Sequence, residues 1–190
     1  REAMADGQDP GPFLEVVSSA LDRARAVVVQ LRTLHRQPET EERRPADLNA
    51  LLRKQLPLTE KRSEARGIEV TLDLDETLQP LRVMPEAIGQ VFQHLVINAL
   101  DAMPQGGQLR IEGRRTSDPD GVWIRFADTG PGLPPEMWDH LFEPFHSTKS
   151  EGLGLGLFIS HNIVHQHGGQ ITVQPRAGGG TVVGVWLPAS

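Results

Sequence analysis

The chain has no cysteine among its 190 residues. That excludes disulfides and thiolate metal sites, and it fits an intracellular setting. Nowhere does an apolar run reach the 18 or so residues a membrane-spanning helix needs, so no span and no direct membrane contact are expected. A phosphate-binding loop of the GxxxxGK[ST] type is also missing. GLGLGL is not a dinucleotide fingerprint either: its spacing is GxGxG and no strand runs directly into it. Positive charge is scarce in the second part of the chain. Residues 1–66 carry 12 Lys/Arg and 11 Asp/Glu, whereas residues 67–190 carry 7 and 14, which together make the net charge of −6. An acidic domain is a poor nucleic-acid binder. If it takes a polyphosphate, it needs a divalent cation to offset repulsion. The chain opens Arg1-Glu2-Ala3 with no initiator Met and no signal-like segment, and reads as part of something longer.

What the chain does have is concentrated in residues 128–158. DTGPG opens this stretch, directly after the apolar run VWIRFA, so Asp128 sits at a strand end. A carboxylate there can accept a hydrogen bond from an exocyclic amine such as that of adenine. Gly130 and Gly132 suit a tight turn or a close backbone approach to a flat ligand. The second glycine run, Gly152, Gly154 and Gly156, with Leu155 between its last two glycines, frees backbone N–H groups just before a helix. Such a helix start attracts anionic oxygens. Between the two runs lies a polar flap carrying Lys149, a cation placed to reach terminal phosphates when the flap closes.

The rest of the chain arranges itself around this stretch. Leu14, Val17, Leu21, Ala24, Val28, Leu31 and His35 alternate at spacings of three and four, a heptad seam that needs a helical partner. A homodimer through residues 13–36 is the simplest way to bury it. Residues 37–46, QPETEERRPA, read as a hydrophilic hinge. Asp47 caps a helix reaching about Arg66, kinked or split at Pro57. Ile68–Leu74 alternates as a strand, and residues 81–83 form a short edge segment. A helix from Pro85 to Met103 turns Ile88, Val91, Phe92, Leu95, Val96, Ala99 and Leu100 to the core. Asn98 and Asp101 lie to one side of it. Strands over 108–113 and 122–127 follow, joined by the polar loop RRTSDPDG. A helix over 155–167 and a hairpin of 170–175 with 181–187 complete the chain. The expected class is α+β, a two-layer α/β sandwich with a mixed sheet and helices on one face, preceded by a long helix of a dimeric bundle. The domains are 1–45, a partial dimerisation helix and linker, and 46–190, the main domain.

DTGPG, FEPFHSTK and GLGLGL, in that order and preceded by QVFQHLVINALDAM, resemble the nucleotide boxes of the sensor histidine kinases of two-component systems. These belong to the wider group of gyrase, mismatch-repair and heat-shock chaperone ATPases. NALDAM, FEPFHSTK and the HGG at 167–169 are similar to the nitrogen-regulation branch. The likeness runs over about residues 14–188. It implies a cytoplasmic module, in a parent protein that can be membrane-anchored. This module binds ATP and Mg²⁺ and passes the γ-phosphoryl to a His on the bundle, for relay to the receiver domain of a response regulator.

On this resemblance Asn98 coordinates the metal and is the one catalytic candidate. Asp128 anchors adenine, and Thr181, after three glycines, supports it. Asp101, Gly130, Gly132, Lys149, Gly152, Gly154, Leu155 and Gly156 complete the nucleotide-binding set. His94 departs from the pattern, which usually has Asn there. It can bond a metal-bound water or a phosphate, and because His titrates near neutrality it can make activity pH-dependent. The clamp ATPases carry a Glu at that place, so hydrolysis as a purpose is disfavoured. A nucleotide-sensing or scaffolding module with little transfer activity is the alternative. The His-Glu/Asp box of the phosphoacceptor is missing, since His35 is followed by Arg36 and Gln37. Phe142 and Phe145 read as packing residues at the flap base. His161 and His165, four apart, read as structural.

Overall fold

The computed structural model describes residues 42–146 and 154–189. The seamed helix of residues 13–36, His35, and the flap residues Lys149 and Gly152 lie outside the described residues.

The elements follow from local sequence signals. Strand β1 is Arg44–Ala46 and helix α1 is Leu48–Gln55. Asp47 caps α1 as expected: its carboxylate accepts from the backbone N–H of Asn49 at 2.8 Å and of Ala50 at 3.1 Å. A 3₁₀ turn at Leu56–Leu58, forced by Pro57, separates α1 from α2, Glu60–Arg66. Gly67, at φ 64°, ends α2 in the left-handed cap that only glycine adopts without cost. Strands β2, Ile68–Leu74, and β3, Leu81–Val83, lead to α3, Pro85–Ala102. Then come β4, Gly107–Ser117, β5, Asp120–Asp128, a 3₁₀ turn at Pro135–His140, α4, Gly156–Gln166, β6, Gln170–Pro175, and β7, Thr181–Pro188.

Five strands form one mixed sheet in the order β2-β4-β5-β7-β6. Only the β2–β4 pair is parallel. The helices bury their apolar stripes against this sheet, the two-layer arrangement expected. All seven predicted core residues of α3 are buried, five of them completely. They meet Leu109 and Ile111 of β4 and Val122, Ile124 and Phe126 of β5, which alternate inward at the strand period. Phe92 and Phe126 tie the two layers together, with ring centroids 6.0 Å apart. Truncating either to Ala removes about 3–5 kcal/mol.

Two expectations change. Arg44–Ala46, assigned to the hinge, instead forms β1, antiparallel to β3 with Pro45 opposite Arg82. A proline is tolerated because this strand has a single neighbour, so one missing N–H donor breaks no ladder. The loop expected at 114–121 is mostly strand: β4 and β5 pair out to Ser117 opposite Asp120. The charges that suggested a loop are ion-paired instead. Arg114 binds Asp73 at 2.5 Å and Arg115 binds Asp120 at 3.2 Å.

Candidate functional site

Asp128 ends β5, beside the start of β7. It is one of the few buried charged residues, 5% exposed. One oxygen, Oδ1, accepts two backbone N–H groups, from Gly130 at 2.9 Å and from Thr181 at 3.2 Å. Burial holds its pKa above the ordinary aspartate value, while these two donors and the charge of Arg176 pull the other way. The structure therefore brings Asp128, Gly130 and Thr181 together, as the sequence suggests.

Glycines make this closeness possible. A Cβ at Gly180 would stand 2.0 Å from the carbonyl oxygen of Asp128, and φ there is 101°. A Cβ at Gly130 would lie 3.0 Å from both the Ala102 carbonyl oxygen and Asp128 Oδ1. So the loop after β5 is seated against the last turn of α3. Thr129 fastens it from the other side: Thr129 Oγ1 accepts from the Gln108 N–H at 2.9 Å, and the Thr129 N–H donates back to Gln108 at 3.1 Å. Gly132, at φ 79°, then reverses the chain.

A second group forms where α4 begins. Asn98 Nδ2 lies 3.9 Å from the position of a Cβ on Gly156. His94, one turn before Asn98, hydrogen-bonds the Gly156 backbone. Burial pulls its pKa below the ordinary histidine value, so the imidazole is neutral at pH 7. Its buried Nδ1 has no hydrogen-bond partner. The titration expected near neutrality is thereby displaced to lower pH. Leu155 is 1% exposed, so its side chain is a packing residue and only its backbone is available to a ligand. Gly154 takes φ 66° against His146, whose carbonyl oxygen would be 2.4 Å from a Cβ.

Far from this group, the other end of α4 is clipped to α3. His167 Nε2 accepts the Met84 N–H at 2.9 Å, while Nδ1 donates to the Ile163 carbonyl at 2.7 Å. The helices thus run antiparallel, with Gly156 beside His94 and Asn98, and His167 beside Met84.

Asp101 takes a different setting from the one expected of a nucleotide ligand. Its carboxylate is bridged by Arg62 at 2.6 Å and Arg66 at 2.9 Å, both from α2. Arg66 also donates to the Leu100 carbonyl at 2.8 Å. Of the phenylalanine pair at the flap base, only Phe142 packs, against the core and the His161 ring at 4.7 Å between centroids. Phe145 is 69% exposed at φ 68°, which corrects the expectation of packing: a left-handed turn carries its side chain outward. Sequence reading also missed Thr129, Gly180 and Arg176 at the Asp128 site. The run of three glycines before Thr181 was the one available signal.

Residues 84–190 match the family model described as histidine kinase-, DNA gyrase B-, and HSP90-like ATPase. The chain is 33% identical over 184 residues to sensor histidine kinase ZraS of Escherichia coli K12, covering 97% of this chain and 39% of that kinase. It therefore spans about two fifths of the length of this curated relative. Among solved structures, the catalytic domain of histidine kinase ThkA aligns with a TM-score of 0.71 and 30% identity, over 78% of this chain and 96% of that one. ThkA in complex with response regulator protein TrrA aligns at 0.79 and 24%, over 97% of this chain and 53% of that one. Full-length ShkA with AMPPNP aligns at 0.71 and 26%, over 93% of this chain and 35% of that one. The family match covers more than half of the chain and includes both glycine-ended groups just described, so this chain belongs to the histidine kinase-, DNA gyrase B- and HSP90-like ATPases, on their sensor histidine kinase branch.

Proposed function

We propose that this chain is the ATP-binding catalytic module of a two-component sensor histidine kinase. The observation that carries the reading is the buried Asp128 carboxylate, fixed through Oδ1 by two backbone donors. Both bonds fall on one oxygen, so the other is the acceptor for the exocyclic amine of adenine. Thr181 and the glycines around it hold that oxygen in place.

The phosphates belong at the start of α4, where the first backbone N–H groups have no intrahelical partner. Asn98, beside Gly156, supplies a neutral oxygen of the kind Mg²⁺ takes when it keeps most of its waters. His94 fits the same group through its orphaned Nδ1, which as a neutral nitrogen can accept a hydrogen bond from a metal-bound water. When bound, the ion neutralises charge on the phosphate oxygens. The chain's own contribution is to orient the nucleotide and exclude water from its base. Asp101 serves better as a brace than as a ligand, since it joins α3 to α2 through two arginines.

The γ-phosphoryl is passed to a His on the dimerisation bundle and from there to the receiver domain of a response regulator. The solved complex of ThkA with its response regulator supports that partner. No His-Glu/Asp box occurs in this sequence, so the chain binds ATP without labelling itself. The dimer through residues 13–36, the Mg²⁺ dependence and a cytoplasmic location belong to the same proposal. Calorimetry with Mg-ATP, followed by incubation with γ-labelled ATP and a separate acceptor bundle, tests it. Uptake of nucleotide with label on the acceptor alone is expected; no nucleotide uptake overturns the reading. Uptake without transfer would instead favour a nucleotide-sensing module, which the buried His94 in place of Asn motivates.

A further inference from the structure

We propose that His140, Glu143 and His146 form a binding site for a borderline divalent cation of the zinc class, with ligands distinct from those of the nucleotide site. One ligand atom from each of the three residues lies within 4.8 Å of the others. His140 Nδ1 is 3.0 Å from Glu143 Oε2, and His146 Nε2 is 3.3 Å from that same oxygen. In a tetrahedral zinc site with bonds of about 2.0–2.2 Å, neighbouring ligand atoms stand roughly 3.3 Å apart. The His146 pair is already at that separation, and the His140 pair, hydrogen-bonded at 3.0 Å, lies just inside it.

Backbone turns build the cluster. The 3₁₀ turn of Pro135–His140 ends at His140, and the Glu143 N–H donates to the His140 carbonyl at 3.1 Å, bringing the carboxylate back beside the first ring. Phe145, at φ 68°, then reverses the chain so that the His146 ring stacks on that of His140, 4.9 Å between centroids and 15° between planes. Phe142 holds the segment to α4 through His161, and the backbone of His146 is packed against Gly154. The strained turn at a non-glycine residue is thus part of what draws the three groups together.

Two imidazoles and one carboxylate select for zinc, cobalt or nickel over magnesium or calcium, which demand oxygen ligands. All three side chains are exposed, so water completes the coordination. His161 and His165 do not share this arrangement: their rings stand 6.1 Å apart and no third ligand joins them among the described residues.

Zinc titration of the nucleotide-free chain against a chromophoric chelator tests the site, with cobalt absorption reporting coordination. One equivalent should bind. His140→Asn and His146→Asn should each weaken it by about tenfold or more, the double variant should abolish it, and circular dichroism should not change because the groups are exposed. Asp128→Asn and His165→Asn should each bind zinc as the parent does, which separates this site from the nucleotide reading and from the other histidines of α4. No zinc uptake by the parent, or unchanged uptake by the His140/His146 double variant, overturns the proposal.

Discussion

Replacing Asp128 by Asn separates what this residue does for the fold from what it does for the ligand. The amide oxygen can still accept the Gly130 and Thr181 N–H groups, now at 2.9 and 3.2 Å. The local structure therefore has no reason to move. The amide nitrogen, however, replaces the oxygen to which we assign the adenine amine, and a donor facing a donor is repelled. A hydrogen bond to a charged acceptor is worth about 1.5–3 kcal/mol, so ATP affinity should fall roughly 10- to 150-fold. Stability should move the opposite way. Burial raises the Asp128 pKa in the folded state, so the stabilisation from its proton is present below the unfolded value and lost as pH rises through the folded one. At pH 7 the buried carboxylate is a net cost that asparagine does not carry. The thermal midpoint of the ligand-free variant should equal or exceed that of the parent. Calorimetry and thermal unfolding, both at pH 7, read the two effects. An unchanged ATP affinity would refute the anchor, and a lowered midpoint would refute the account of its burial.

Gly180→Ala should cost about 3 kcal/mol in chemical denaturation, because positive φ and a 2.0 Å contact with Asp128 combine; Gly178→Ala, at φ 86° but in open space, should cost nearer 1 kcal/mol. Buried His167 has a lowered pKa, so its contribution is intact above about pH 6.5 and lost as pH falls below that. Urea unfolding at pH 7.5 and 5.5 should show a smaller loss in His167→Gln than in the parent, and equal losses would remove the clip from the account. Asp101→Asn should lower stability by about 1 kcal/mol and leave ATP affinity within about twofold, since its partners are Arg62 and Arg66; a large affinity loss would restore it to the ligand set.

Where burial and periodicity decide the structure, the sequence was sufficient. The α3 stripe from Ile88 to Leu100 and the alternation of Ile68–Leu74 read directly, because the stripe must meet the core and Ile68, Val70 and Leu74 pack against it, though Leu72 of the same face is exposed. Asp47 and Pro57 read equally well, since a cap and a missing N–H act within a few residues. Arg44–Ala46 did not, because its strand is made by β3, nearly forty residues away. The polar ends of β4 and β5 were hidden for a related reason: Arg114 is satisfied by Asp73 on β2, and Arg115 by Asp120 across the β4–β5 pair. At the site, Asp128 and the glycine turns were legible as chemistry. Thr129, Arg176 and the steric need for Gly180 were not, being consequences of two strand ends meeting. Nor was the His140–Glu143–His146 cluster, whose three-residue spacing falls on turns rather than on a regular helix.

The single imidazole at His167 gives the two antiparallel helices a fulcrum. It fastens the far end of α4 to the start of α3, about 16 Å along the axis from Gly156 for an 11-residue helix. Any tilt of α4 about this point displaces Gly156 most and Gln166 least, so a nucleotide bound at the proposed position beside Asn98 would work on the long arm of a lever. Amide hydrogen exchange should accordingly be slowest near Met84 and quicken along α4 toward Gly156, and the reverse gradient would place the pivot elsewhere.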